Sequence, residues 1–156
     1  MSDISFEFCD FQNPQHVEAY TGLLNHYMSD PMGDFPLHDK NLQQLLVERL
    51  SKHPTAFVLF ILCDGKFVGF STCFVNFSTF KIKPFLYIHD LCIHQKFRGK
   101  ELGRKLMEKL VSIAKERNYC KISLEVRSDN TLAKELYHKL GFGECEPKMH
   151  YWEKIL

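Results

Sequence analysis

Residues Leu86 to Met107 read LYIHDLCIHQKFRGKELGRKLM. An apolar run, Leu86 to Ile93, passes into a basic turn, Lys96-Phe97-Arg98-Gly99-Lys100. The segment that follows carries Leu102, Leu106, Leu110 and Ile113 at helical spacing, from about Gly99 to Arg117. This is strand, glycine-containing turn, helix. The first amides of a helix have no internal partner and sit at the positive end of its dipole. A glycine lets backbone approach an anion closely, and a helix N-terminus favours one. Arg98 and Lys100 add charge at the same place. The stretch reads as a phosphate site.

Working outward, Lys121 to Val126 is a second strand beyond that helix, and a strand-helix-strand unit calls for a parallel pair. A further helix, about Asn130 to Leu140, stops at Gly141. A last strand is expected over Cys145 to Glu153. Upstream, Thr55 to Cys63 and Phe67 to Phe77 flank Asp64-Gly65, a strong hairpin signal. With Phe85 to Ile93 after Lys83-Pro84, they predict an antiparallel meander. Ile4 to Cys9 alternates as a half-buried strand. Asn13-Pro14 opens a helix running to about Met28. A second helix, about Asp39 to Lys52, should bury Leu42, Leu45, Leu46 and Leu50. The predicted order is β-α-α-β-β-β-α-β-α-β. That is an α/β chain with a mixed sheet, in one domain over residues 1–156, and a crevice opens where parallel strands part.

Twenty Lys and Arg against 19 Asp and Glu give a net charge of +1, which argues against a nucleic-acid partner. The apolar runs break before about 18 residues, which argues against a membrane span. None of the six cysteines forms a CxxC pair or a zinc spacing, so no metal is expected. No signal-peptide pattern precedes the first strand, and reduced thiols in the cytoplasm are expected. The G-x-x-x-x-G-K-[ST] loop of nucleotide-phosphate enzymes is absent.

Arg98-Gly99-Lys100-Glu101-Leu102-Gly103 resembles the acetyl-CoA motif of the GNAT N-acetyltransferase superfamily, R/Q-x-x-G-x-G/A. Arg98 and Gly103 fit, but Glu101 occupies the position of the middle glycine. A side chain there is expected to require ordinary backbone and to set an acid beside a pyrophosphate. Ser123 to Phe142, SLEVRSDNTLAKELYHKLGF, resembles the later motif of the same superfamily. Ile88-His89-Asp90-Leu91 and the Tyr137 region look closest to diamine acetyltransferases.

The resemblance implies the GNAT acyl-CoA N-acyltransferase fold, with acetyl-CoA as cosubstrate and direct transfer to a primary amine in a ternary complex. The acceptor would be a small molecule. A protein N-terminus or lysine, or a CoA-binding regulatory module without turnover, are the alternatives, and the resemblance is compatible with a homodimer. It implies main-chain contacts to the cofactor from Leu91, Cys92 and Ile93, and phosphate contacts from Arg98, Gly99, Lys100, Glu101, Leu102, Gly103 and Arg104. Asn130 would serve as a helix cap, as a cofactor contact, or as both. Tyr137, on the helix side of Ala133 and Leu140, would either pack at the edge of the core with its hydroxyl at the rim or, as the resemblance implies, be the general acid for the leaving thiolate, its phenol being of similar basicity.

His89 and Asp90 are the candidate bases. As strand neighbours they are expected on opposite faces, so that only one faces a given cleft. An imidazole suits deprotonation of an amine at neutral pH. A structural role for His89 is equally open, and Asp90 could instead attract a cationic acceptor. Cys92 lies mid-strand in an apolar run and reads as packing. The loop Tyr27 to His38, with Asp30, Asp34, Phe35 and His38, is either a plain solvated loop or, as the resemblance implies for this fold, a border of the acceptor pocket.

Overall fold

The computed structural model describes all 156 residues. They fall into two compact units, Met1 to Glu125 and Val126 to Leu156. The first holds β1 (Ile4–Phe8), α1 (Pro14–Ser29), α2 (Lys40–Ser51), β2 (Ala56–Cys63), β3 (Lys66–Ser78), β4 (Lys83–Ile93), a single 3₁₀ turn (Gln95–Phe97), α3 (Leu102–Glu116) and β5 (Ile122–Leu124). The second holds α4 (Thr131–Lys139).

The sheet has the order β1-β2-β3-β4-β5. The first three pairings are antiparallel and β4–β5 is parallel. Asp64 and Gly65, at φ 50° and 73°, make the two-residue turn between β2 and β3. Val58 to Cys63 and Val68 to Cys73 are buried without a break, because helices cover both faces. Alternation along β2 divides the core. Val58, Phe60 and Leu62 pack with Tyr20, Leu23, Leu24 and Met28 of α1. Leu59 and Ile61, equally buried, face the other way, and α3 lies against this sheet with Leu102, Leu106, Met107 and Leu110 enclosed. Tyr20 reaches through its side of the core to Thr72, with a 3.0 Å hydroxyl contact.

Four expectations change. The stripe of α2 is largely open: Leu50 is buried and Leu46 partly so, but Leu42 and Leu45 are exposed. Only the C-terminal end of α2 reaches the core, and a cleft of about 650 Å³ lies between α1 and α2. The alternation of β1 also fails at Phe8, which is exposed. It lies on the rim against Phe57, with the Arg117 guanidinium over both rings. β5 covers three residues, not six. Finally, residues 145–153 form no strand. Pro147 has no N–H to donate, so a ladder there would be interrupted soon after it began.

No helix is long and apolar enough to cross a membrane. α3 ends where expected: Asn118 takes the left-handed conformation at φ 57°, and Tyr119 N–H bonds back to Ala114 O.

Candidate functional site

The site begins with an irregularity in β4. Asp90 pairs with Thr72, but Cys73 pairs with Ile88, so His89 is an extra residue with no partner of its own. A bulge of this kind breaks strict alternation. Asp90 and Cys92 therefore share the register of Thr72 and Phe70, on the α1 face. The expectation that His89 and Asp90 point to opposite faces is corrected. Nδ1 of His89 lies 3.1 Å from Oδ1 of Asp90. The Asp90 side chain is 14% exposed and that of His89 57%.

The His89 ring also meets Phe74 and Tyr87 edge-on. Asp90, by hydrogen bond and charge, raises the His89 pKa from its ordinary value against an opposing effect of burial, and Glu125 adds to the rise. A carboxylate on Nδ1 requires N–H there, which leaves Nε2 as the basic nitrogen. Tyr87 donates its hydroxyl to Glu125 at 3.0 Å.

The bulge also marks the end of β4–β5 pairing. β5 pairs with Leu86, Tyr87 and Ile88 and no further. Beyond it, the edge of β4 at Leu91 to Ile93 has no strand beside it on the β5 side. The pairing of β4 with β5 ends at this point, and a crevice at strand ends needs such a break. Cys92 is buried, and burial pushes its thiol up to about 11, which suits packing and not nucleophilic attack.

The 3₁₀ turn leads from β4 to α3. The helix begins at Leu102, three residues later than expected, because Gly99 (φ 76°) and Glu101 (φ 56°, ψ 14°) both take left-handed backbone. This corrects the expectation of ordinary backbone at Glu101. The position keeps the conformation a glycine would adopt and holds it with a side chain, at a cost of about 1–2 kcal/mol. The Glu101 side chain is 70% exposed and lies 3.5 Å from Arg104.

Asn13, His94, Asp39 and Asn130 each cap a helical start with a side chain, whereas α3 has no side-chain cap. Its first bond runs from Lys105 N–H to Glu101 O, so the amides of Leu102, Gly103 and Arg104 lack helical partners. Lys100 lies over the Phe97 ring, and Arg104 also pairs with Glu108. Arg98 turns back. Its Nε donates to Ile93 O at 3.0 Å, and its Nη2 lies 2.8 Å from Asp30.

The loop after α1 borders a cleft of about 450 Å³ lined by Met28, Asp30, Asp34, Phe35, Leu37 and neighbours. Phe35 and Leu37 are exposed. Asn25 clamps the His38 backbone by donating to its carbonyl and accepting from its N–H. The sequence reading missed His26, which stacks on His94 with ring centroids 4.0 Å apart and accepts from Gln95 N–H. The two histidines lie 68 positions apart, and no local pattern joins them.

In the second unit, Asn130 caps α4 by accepting from Ala133 N–H at 3.2 Å. Tyr137 is half-buried, on the helix side that carries Ala133 and Leu140, with its ring 6.0 Å from that of Phe142.

The sequence model of the Acetyltransferase (GNAT) family matches residues 20–142. An uncharacterized N-acetyltransferase of Archaeoglobus fulgidus is 43% identical over 75 residues, which are 47% of this chain and 51% of that protein. This chain thus spans about half the length of that relative. An N-alpha-acetyltransferase of Sulfurisphaera tokodaii is 31% identical over 113 residues, 68% of this chain and 67% of that one. Among solved structures, the crystal structure of a probable acetyltransferase superposes with a TM-score of 0.83 at 18% identity, covering 99% of this chain and 98% of that one. That likeness speaks for the fold.

Proposed function

This chain belongs to the acetyltransferase (GNAT) family, and on that premise we propose that it moves the acetyl group of acetyl-CoA to the primary amine of a small molecule. The observation that carries the reading is the bulge at His89. It gathers a base and its carboxylate where the pairing of β4 with β5 ends. The family uses acetyl-CoA, which supplies the acyl group as a thioester. The residues present fit it: the open edge of β4 suits an amide-bearing arm, and the uncapped start of α3 suits a pyrophosphate. The match through residue 142 supports reading the whole chain as one acetyltransferase domain.

The proposed steps follow from the side chains. Nε2 of His89 takes the proton that the amine must lose, while Asp90 holds Nδ1 and stabilises the resulting imidazolium. Main-chain groups of Leu91 to Ile93 orient the cofactor. Amides of Leu102 to Arg104 hold its phosphates, with Gly103 allowing close approach. Tyr137 gives its proton to the departing thiolate, a role supported by the family resemblance of residues 130–142. The carboxylates of Asp90 and Glu125 favour a cationic acceptor. Direct attack needs no covalent enzyme species, so catalysis rests on positioning and proton transfer.

A second reading, transfer to a protein N-terminus, is favoured by the 31% identity to the N-alpha-acetyltransferase. A panel of polyamines, aminoglycosides and peptides with free N-termini, read by release of free CoA thiol, separates the two. Turnover with peptides alone overturns the small-molecule reading. No release with any amine, despite CoA binding, overturns catalysis itself. Gly103→Glu tests the turn, and unchanged acetyl-CoA affinity in that variant would remove it from the cofactor site.

A further inference from the structure

The arginine that the family motif sets beside the phosphates is tied to the end of α1. Arg98 spans two anchors, Ile93 O at 3.0 Å and the Asp30 carboxylate at 2.8 Å. Asp30 is itself firmly held. Its Oδ1 accepts from Met32 N–H, and its carbonyl accepts from Gly33 and Asp34 N–H. Its side chain is 13% exposed, and the Met32 amide, ahead of Arg98, keeps its carboxyl below the usual value. One turn earlier on α1, His26 stacks on His94 and accepts from Gln95 N–H, the first residue of the 3₁₀ turn. Burial, with His94 and Arg98 nearby, lowers the His26 pKa, which favours the neutral ring that an accepting Nε2 needs. Two contacts, one from α1 and one from the Asp30 that caps it, thus fix the segment between β4 and α3, one near each end of its 3₁₀ turn.

We propose that Asp30 and His26 are positioning residues for the phosphate turn, holding Arg98 and Gln95 so that the turn is set before acetyl-CoA arrives. The inference rests on reading Arg98 to Arg104 as the cofactor turn. Neither residue need touch the cofactor. Both act by removing conformations that the turn would otherwise lose on binding, and pre-ordering of that kind appears as affinity. Asp30 also organises the loop beside the acceptor cleft, so one residue ties the two substrate sides together.

The test is a double-mutant cycle on acetyl-CoA affinity, measured by calorimetry without acceptor. Asp30→Asn keeps an oxygen for Met32 N–H and removes the charge from Arg98. It is expected to weaken binding roughly threefold to tenfold. In an Arg98→Ala background the same change should do nothing more. Unchanged or tighter binding in Asp30→Asn, or losses that simply add, overturns the proposal. His26→Phe keeps a ring against His94 but cannot accept from Gln95. It should raise KM for acetyl-CoA and leave KM for the amine alone, and a rise confined to the amine overturns the proposal too. Gly103→Glu is run beside them. Loss of affinity there with none in Asp30→Asn defeats this inference alone, and no loss in Gly103→Glu defeats the reading of the turn beneath it.

Discussion

Asp90 Oδ1 lies 3.1 Å from Nδ1 of His89, its own chain neighbour, because one unpaired residue in β4 brings both side chains to the same face of the sheet. An unbroken strand would have sent them to opposite faces. The geometry makes Asp90 the partner of the base and leaves Nε2 of His89 free of that carboxylate.

The pH dependence follows from that contact. Asp90 raises the His89 pKa above the ordinary imidazole value, so the ring stays protonated to higher pH. A base works only when deprotonated. kcat/KM should therefore rise with pH through a midpoint above about 6.5. Asp90→Asn should move the midpoint down and lower the plateau. A pH–rate profile with a saturating second substrate measures both. A midpoint that Asp90→Asn leaves in place would show that another group controls the profile.

Glu101 holds left-handed backbone at φ 56°, and its side chain does not cap the helix it precedes. Glu101→Gly relieves about 1–2 kcal/mol of backbone strain and costs about 0.5–1 kcal/mol of chain entropy. The exposed contact with Arg104 contributes little. The variant should gain about 0.5–1 kcal/mol, a rise in Tm of roughly one to four degrees. Acetyl-CoA affinity should hold or tighten, since a negative charge leaves the phosphate side. A lower Tm would mean that Glu101 does something for the turn besides occupying it.

A Cβ on Gly33 would sit 2.0 Å from the carbonyl oxygen of Tyr27. That oxygen belongs to the last turn of α1 and cannot swing away as a side chain could. Gly33→Ala should push the loop off the helix and strain the 2.9 Å bond from Gly33 N–H to Asp30 O. The expected loss is about 1–3 kcal/mol, the usual cost of overpacking. Thermal unfolding checks it, and an unchanged Tm would show that the loop can settle elsewhere.

What the sequence disclosed and what it hid divide along a physical line. Strands β2 to β4, the Asp64-Gly65 turn, α3 and α4 with its Asn130 cap are written in local spacing and turn chemistry. The bulge is not, since one extra residue in an apolar run leaves no local mark. The pairs His26–His94 and Asp30–Arg98 join residues 68 positions apart, and only the folded chain brings them together. The stripe of α2 was legible as a pattern, but whether a neighbour covers it is a tertiary matter, and Leu42 and Leu45 stay open. At Glu101 the motif implied a glycine conformation. The residue type argued against it, and the backbone kept the conformation.

At Tyr137 chemistry and packing make different demands. The ring is half-buried and stands 6.0 Å from Phe142, whose N–H bonds back to Tyr137 O. Packing needs the ring. The proposed acid needs only the hydroxyl, and only while the thiolate departs. Tyr137→Phe separates the two. It keeps the ring, so Tm and acetyl-CoA affinity should change little. It removes the proton donor, so kcat should fall roughly 10²-fold or more. Because the interaction is made in the transition state alone, kcat and kcat/KM should fall together, with KM unmoved. Steady-state kinetics beside calorimetry measure all three quantities. Near-normal turnover would show that the thiolate takes its proton from water. A parallel loss of Tm and rate would assign the hydroxyl to the packing of α4.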